Sequence, residues 1–265
     1  MEFSLTRVGG SNMHLHDSGK ESRLQLVFVP GAFSPEAWKY QLNYFSKDRR
    51  TISFRPTVSN RSFSGHREAL KEVLDQEEVD NAVLVGSSFS ASLVQGFEVR
   101  EDVAATVLVG ARKKLKKDIP GNVYRVFTSD RFPPKLCKKM FFPSVRYREV
   151  RDFCREVDFL EPGDFKSFQE RFGVREPEKE CLIVHGEKDF FSDRDYVRKL
   201  RSHASVTVVE TGSFSFYEKP QEFNKTLNDF LLKIERKKAR EEIEKTQEQN
   251  RTLEEFEKRM AKVRK

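Results

Sequence analysis

The stretch Asn81-Ala82-Val83-Leu84-Val85-Gly86-Ser87-Ser88-Phe89-Ser90-Ala91-Ser92 constrains the fold more than any other, because it reads as a buried strand running directly into a helix. Val83, Leu84 and Val85 are consecutive apolar β-formers, the composition of a parallel strand covered on both faces. Gly86 and the small residues after it permit a sharp bend with Ser88 at its apex. A serine-rich helix start is also an ordinary cap, so these residues alone fix a tight bend and leave the role of its serine open.

The same alternation of elements surrounds this stretch. Residues 24–29 form a nearly continuous apolar run and residues 51–54 a second, followed by a helix over about 66–76. After the bend come a helix to about residue 100 and a strand over 105–109. Strand, helix and strand repeated from 24 to 110 call for a parallel sheet with right-handed crossovers. Ahead of it, residues 3–8 and 12–17 alternate apolar and polar around Gly9-Gly10, the pattern of an antiparallel hairpin on a sheet edge. Residues 181–184 and 206–210 predict two further strands.

Four stretches resemble motifs of the α/β-hydrolase superfamily. Gly86-Ser87-Ser88-Phe89-Ser90 is similar to the nucleophile elbow G-x-S-x-G, with serine in place of the last glycine. His185-Gly186-Glu187-Lys188-Asp189 matches H-G-x-x-D, whose aspartate orients the catalytic histidine. The segment from Gly212 to Phe223 resembles the closing motif G-H-x-x-x-x-E-x-P-x-x-F, but Ser213 stands where the family has its histidine. The loop Pro30-Gly31-Ala32-Phe33, with Trp38 following, resembles the family's oxyanion loop, with Pro30 for the frequent histidine. The resemblance covers roughly residues 22–232. It implies Ser88 as nucleophile, Asp189 as acid, and the backbone N–H groups of Ala32 and Phe89 as oxyanion donors. It also implies a mostly parallel sheet with helices on both faces, and a helical cap inserted at about 112–178 and laid over the site. Loop residues Ser34 and Pro35 read equally as an ordinary helix start.

Within that insert Val150, Phe153, Val157 and Leu160 recur at helical spacing, and Phe141-Phe142 reads as packing between cap and core. The run Arg112-Lys113-Lys114-Leu115-Lys116-Lys117 leaves the carboxyl end of a parallel strand, the edge where open α/β sheets bind ligands. It reads either as a solvated helix start or as an attractor for an anionic small molecule.

Composition divides the chain further. The hydrophobic share of 37% is low and the charged share of 34% is high for 265 residues, so part of the chain is a solvated charged element. Residues 233–265 supply it, holding 12 Lys/Arg against 8 Glu, a net +4 of the chain's +7. Interleaved signs, with Glu241/Lys245 and Glu254/Lys258 four apart, predict a charged helix and argue against nucleic acid as a partner. Leu253, Phe256, Met260 and Val263 give it a narrow apolar seam, suited to a second copy or a protein partner in coiled-coil fashion. The expected organisation is a hydrolase-like domain over 1–232 and a helical extension over 233–265.

Cys137, Cys154 and Cys181 are odd in number and widely spaced, which excludes a disulfide framework and predicts neither metal nor cofactor. No stretch approaches the roughly 20 apolar residues of a membrane span, and Met1-Glu2-Phe3-Ser4 does not begin a signal peptide. The expectation is a soluble cytoplasmic protein with no membrane partner.

Chemistry turns on residue 213. A serine hydroxyl needs a neighbouring base to attack at neutral pH, and Ser213 cannot be one. Removing the histidine from a serine-hydrolase triad costs about 10⁶ in turnover. His203, His14 and His16 are predicted away from the ligand edge, and His185 matches a structural position. His66, at the start of a helix after a strand end, is the one alternative base. Two readings follow: a hydrolase-like protein that binds a ligand or partner without triad turnover, or a working carboxylic-ester or acyl hydrolase using Ser88 with a relocated base such as His66.

Overall fold

In a computed structural model of the chain, the described residues are 4–8, 11–31, 33–57, 61–113, 134–158, 160–171, 173–189 and 193–263. The apolar runs become strands of one eight-stranded sheet: β1 (Ser4–Val8), β2 (Ser11–Asp17), β3 (Gln25–Val29), β4 (Thr51–Pro56), β5 (Ala82–Ser87), β6 (Val103–Val109), β7 (Cys181–Gly186) and β8 (Ser205–Val209). Their spatial order is β1-β2-β4-β3-β5-β6-β7-β8. The first hairpin is antiparallel and docks antiparallel on β4, so it closes one edge as its alternation predicts. Every pairing from β4 to β8 is parallel.

This topology places the site. β3 has β4 on one side and β5 on the other, with Val27 opposite both Ile52 and Leu84, so the chain order reverses across β3. A crevice opens outside the carboxyl ends of the strands at such a reversal. The loops after β3, β5, β6, β7 and β8 all leave that edge, carrying Gly31, Ser88, Arg112, Asp189 and Ser213 in turn. β5 and β7 are buried along their whole length, and neither alternates polar with apolar side chains, as a sheet covered on both faces requires.

Helices flank the sheet. A 3-10 turn over Pro35–Trp38 leads into α1 (Lys39–Phe45); α2 is Phe63–Gln76 and α3 Phe89–Gln95. α2 begins three residues earlier than the sequence predicts because Ser62 accepts a capping hydrogen bond from Gly65 N. The described part of the cap consists of α4 (Pro134–Phe141), α5 (Tyr147–Glu156) and α6 (Pro162–Glu170). Val150, Phe153, Val157 and Leu160 are buried, and Phe142 stacks on Phe214 at 4.8 Å between centroids, so the cap is anchored by aromatic packing as its spacing predicts. Past β7 come α7 (Arg194–Lys199) and, beyond β8, the single turn α8 (Ser215–Glu218). The last helix, α9, runs without a break from Pro220 to Val263. The chain forms two compact units, Met1–Leu227 and Asn228–Lys265. The side chains of Leu253, Phe256, Met260 and Val263, which make the predicted seam, lie outside those described.

Candidate active site

The elbow is built by glycine scarcity and one strained serine. A Cβ at Gly86 would lie 2.7 Å from both the Ser90 carbonyl oxygen and Val94 Cγ2, so only glycine lets α3 start so close to β5. Ser88 then takes φ 49°, ψ −109°, a conformation that costs a non-glycine residue on the order of 1–3 kcal/mol. Its N–H donates to Val109 O at 2.8 Å, tying the bend to the end of β6. The hydroxyl makes no capping hydrogen bond, which rules out the plain-cap reading of the stretch. Ser90, standing for the motif's last glycine, spends its hydroxyl locally: it accepts from Ser87 N and donates to Ser87 O. The loop after β3 adapts to it, since a Cβ on Gly31 would come within 3.1 Å of Ser90 Cβ.

The predicted oxyanion donors divide. Phe89 opens α3 directly after the strained serine, and its ring meets Phe165 of the cap edge-on at 4.8 Å. Ala32 lies outside the described residues. Its neighbour Phe33 is buried, with its ring 5.1 Å from Phe214 and 6.4 Å from Phe153. Ser88 itself is only 7% exposed. Trp38, expected just past the loop, stacks on Phe216 at 4.1 Å and so couples the 3-10 turn before α1 to α8.

The acid end is tightly wired. Asp189 sits three residues past β7, and a Cβ on Gly186 would be 1.8 Å from Gly212 O, so the loops after β7 and β8 touch through bare backbone. Ser213 Oγ donates to Asp189 Oδ1 at 2.6 Å. Arg112 Nη2 donates to both carboxylate oxygens, at 3.2 and 3.0 Å. Gly110, the residue after β6, turns the chain beside this cluster in a left-handed conformation at φ 65°, which favours glycine. Asp189 therefore faces residue 213, as the resemblance requires, while α7 is capped by Asp193, which accepts from Tyr196 N. Sequence reasoning placed Arg112 at the head of a solvated, anion-attracting run. Instead it is buried against Asp189, while Lys113 beside it is exposed and Lys114, Lys116 and Lys117 lie outside the described residues. The missed signal was position: Arg112 is the third residue past β6, the strand between those carrying Ser88 and Asp189.

Glu218 is a second residue whose part the sequence did not disclose. Its carboxylate accepts from Gly212 N at 2.6 Å and from Ser144 N, in the turn between α4 and α5, at 2.9 Å. Ser144 Oγ also donates to Glu210 O. One carboxylate thus binds the loop of Ser213 to the cap, and burial pushes it up to about 7 against the pull of these N–H donors.

His66, the alternative base, is buried in α2. Its Nδ1 lies 3.1 Å from Ser62 O, an oxygen that can only accept, and its ring meets Phe168 of the cap edge-on. Burial lowers it to about 4, so it is neutral at physiological pH. The structure brings Asp189 and Ser213 together; His66 is held by Ser62 and Phe168, and no hydrogen bond among the described residues joins it to Ser88. His185, on β7, is buried and lowered chiefly by burial, with the Asp189 charge opposing. His203 is half-exposed beside Glu176. Among the described residues no group of His, Cys, Asp or Glu is placed to hold a metal ion, and no helix is long and apolar enough to cross a membrane.

No family model matches the chain, and no curated protein sequence is similar to it. Solved structures similar to it include an esterase from Exiguobacterium antarcticum, 17% identical with a TM-score of 0.67 over 87% of this chain and 99% of that one. An enol-lactonase from Burkholderia xenovorans is 15% identical, with a TM-score of 0.67 over 86% and 100% of the two chains. An α/β-hydrolase fold protein from Chitinophaga pinensis is 16% identical, with a TM-score of 0.68 over 87% and 97%. The chain has the α/β-hydrolase fold.

Proposed function

We propose that this chain uses its hydrolase-type site to bind a small-molecule ligand or a protein partner without triad turnover. One observation carries the reading: a hydroxyl, Ser213 Oγ, donates to Asp189 at 2.6 Å in the place where the resemblance calls for an imidazole. A hydroxyl bound to a carboxylate has no capacity to draw the proton from Ser88, and without that transfer the serine is a weak nucleophile. The strained Ser88 with Phe89 opening α3 directly after it suits recognition of a carbonyl or carboxylate group. Exposed Lys113 at the same sheet edge favours an anionic ligand. Neither nucleic acid nor a membrane enters this reading, and the odd number and wide spacing of the cysteines favour the cytoplasm.

A fluorophosphonate probe tests it. Wild-type protein is expected to remain unlabelled under conditions that label an active esterase to completion, with Ser88→Ala as the blank. Rapid labelling of wild type, lost in Ser88→Ala, overturns the reading and favours the second one, a carboxylic-ester hydrolase with a relocated base such as His66. The strained backbone of Ser88 is the observation on that side, since strain of this kind collects at reacting groups. The C-terminal helix is assigned to self-association or a protein partner; unchanged hydrodynamic mass on truncation at Lys233 counts against self-association.

A further inference from the structure

Arg112 reaches the acid end from β6, the strand lying between those of Ser88 and Asp189. Its side chain is 5% exposed and that of Asp189 is fully buried. A pair at such depth persists only where countercharge and hydrogen bonds meet both ions. In a working triad the countercharge to the aspartate arrives transiently, on the imidazole that has just taken the serine's proton. Here a guanidinium supplies it permanently, because arginine cannot give up its proton at any ordinary pH.

We propose that Arg112 is a positioning residue holding the countercharge place of an imidazolium. It pins Asp189 against Ser213 and makes the acid end hostile to any protonated imidazole, so that a histidine restored at position 213 is not restored as a base. The inference rests on the reading of the site as one without turnover and extends it. Loss of the base and occupation of its electrostatic partner are two separate changes, and only reversal of both reopens the chemistry. A cation beside an imidazole lowers its proton affinity by the same Coulomb effect through which a lone carboxylate raises it. His185 on β7 feels both Asp189 and Arg112, and beyond them Arg194 on α7 and Asp193 at its cap. Glu218 on α8 reaches the same loop through Gly212 N.

The test compares wild type, Ser213→His, and Ser213→His combined with Arg112→Met. NMR titration of the introduced imidazole is expected to give a pKa below the ordinary value of about 6.5 in the single variant and above it in the double. Fluorophosphonate labelling of Ser88 is expected to be at least about tenfold faster in the double variant than in the single one. A role for Arg112 confined to filling space moves neither quantity in this way. An imidazole titrating at or above 6.5 in Ser213→His alone overturns the inference, and so does labelling of the single variant as fast as the double. Arg112→Gln, which keeps a donor and removes the charge, replaces Arg112→Met if that variant does not fold. Labelling of wild type would instead overturn the reading without turnover, leaving the imidazole titration to decide on Arg112.

Discussion

Ser88 and Ser213 both stand just past the carboxyl ends of parallel strands, yet backbone strain holds the first and an ion-paired carboxylate holds the second. Around Ser88 the chain follows the geometry expected of a nucleophile: a glycine with no room for a Cβ, a positive φ, and a hydroxyl not used as a cap. Around Ser213 polar groups are paired to one another, from Ser213 and Arg112 on Asp189 to Gly212 and Ser144 on Glu218. The first end holds energy against its own relaxation, whereas the second is stabilised by its contacts. Substitutions at the acid end should therefore destabilise the fold, and relaxation of the elbow should not.

The largest effect is expected at Arg112. Arg112→Met strands the buried Asp189 carboxylate and should lower stability by about 3–5 kcal/mol in chemical denaturation. Adding Asp189→Leu should recover much of that loss, because replacing both ions removes the desolvation cost that stranding one exposes. If Arg112→Met is instead neutral, the acid end is not held by its ion pair and the contrast between the two ends fails.

Glu218 sharpens the comparison through pH. Its ordinary value near 4.5 is raised by burial to about 7 in the fold, so the folded protein binds this proton more tightly than the unfolded chain. Its contribution is fully present below about 4.5 and is lost as pH rises through about 7. The loss across that window is on the order of 3 kcal/mol. Buried His66, lowered to about 4, acts in the opposite sense over the same range, so the Glu218 share is read by difference: the stability of Glu218→Gln should gain on that of wild type as pH rises from about 4.5 to about 7. The single tryptophan, Trp38, stacked on Phe216 in the same turn as Glu218, makes the transition visible by fluorescence.

The part of this arrangement legible in the sequence was the part fixed by local rules. Apolar runs of β-formers marked the parallel strands, and turn glycines with their neighbouring motifs marked Ser88, Asp189 and Ser213. Long-range pairing escaped. Arg112 looked like the first of a basic run because its neighbours are lysines, and nothing local distinguishes a guanidinium 77 positions from its carboxylate partner. Glu218 was visible as part of the closing motif, but its raised proton affinity depends on Ser144 in the cap arriving from 74 residues away. His66 shows the converse. Its placement at a helix start after a strand end gave it access on paper, while the fold turned the ring into the contact between Ser62 and Phe168.

Ser213→Ala comes next in size. It removes one hydrogen bond to a buried carboxylate and leaves the Arg112 pair in place, so a loss of about 2 kcal/mol is expected, smaller than that of Arg112→Met. The two should be non-additive, since both act on Asp189; a double-mutant cycle with strictly additive losses would mean that the serine and the arginine hold the carboxylate independently.

The smallest effect expected has the opposite sign. Ser88→Gly relieves φ 49°, ψ −109°, worth on the order of 1–3 kcal/mol, and adds backbone freedom to the unfolded chain, which costs about 0.4–1 kcal/mol. The hydroxyl lost is not a helix cap, so no comparable term opposes the relief. The balance is a gain near 1 kcal/mol, a shift readable as a raised denaturation midpoint at unchanged slope. A loss of that size would mean that the Ser88 side chain makes a stabilising contact of its own, and the elbow would then be held by its contacts as Ser213 is.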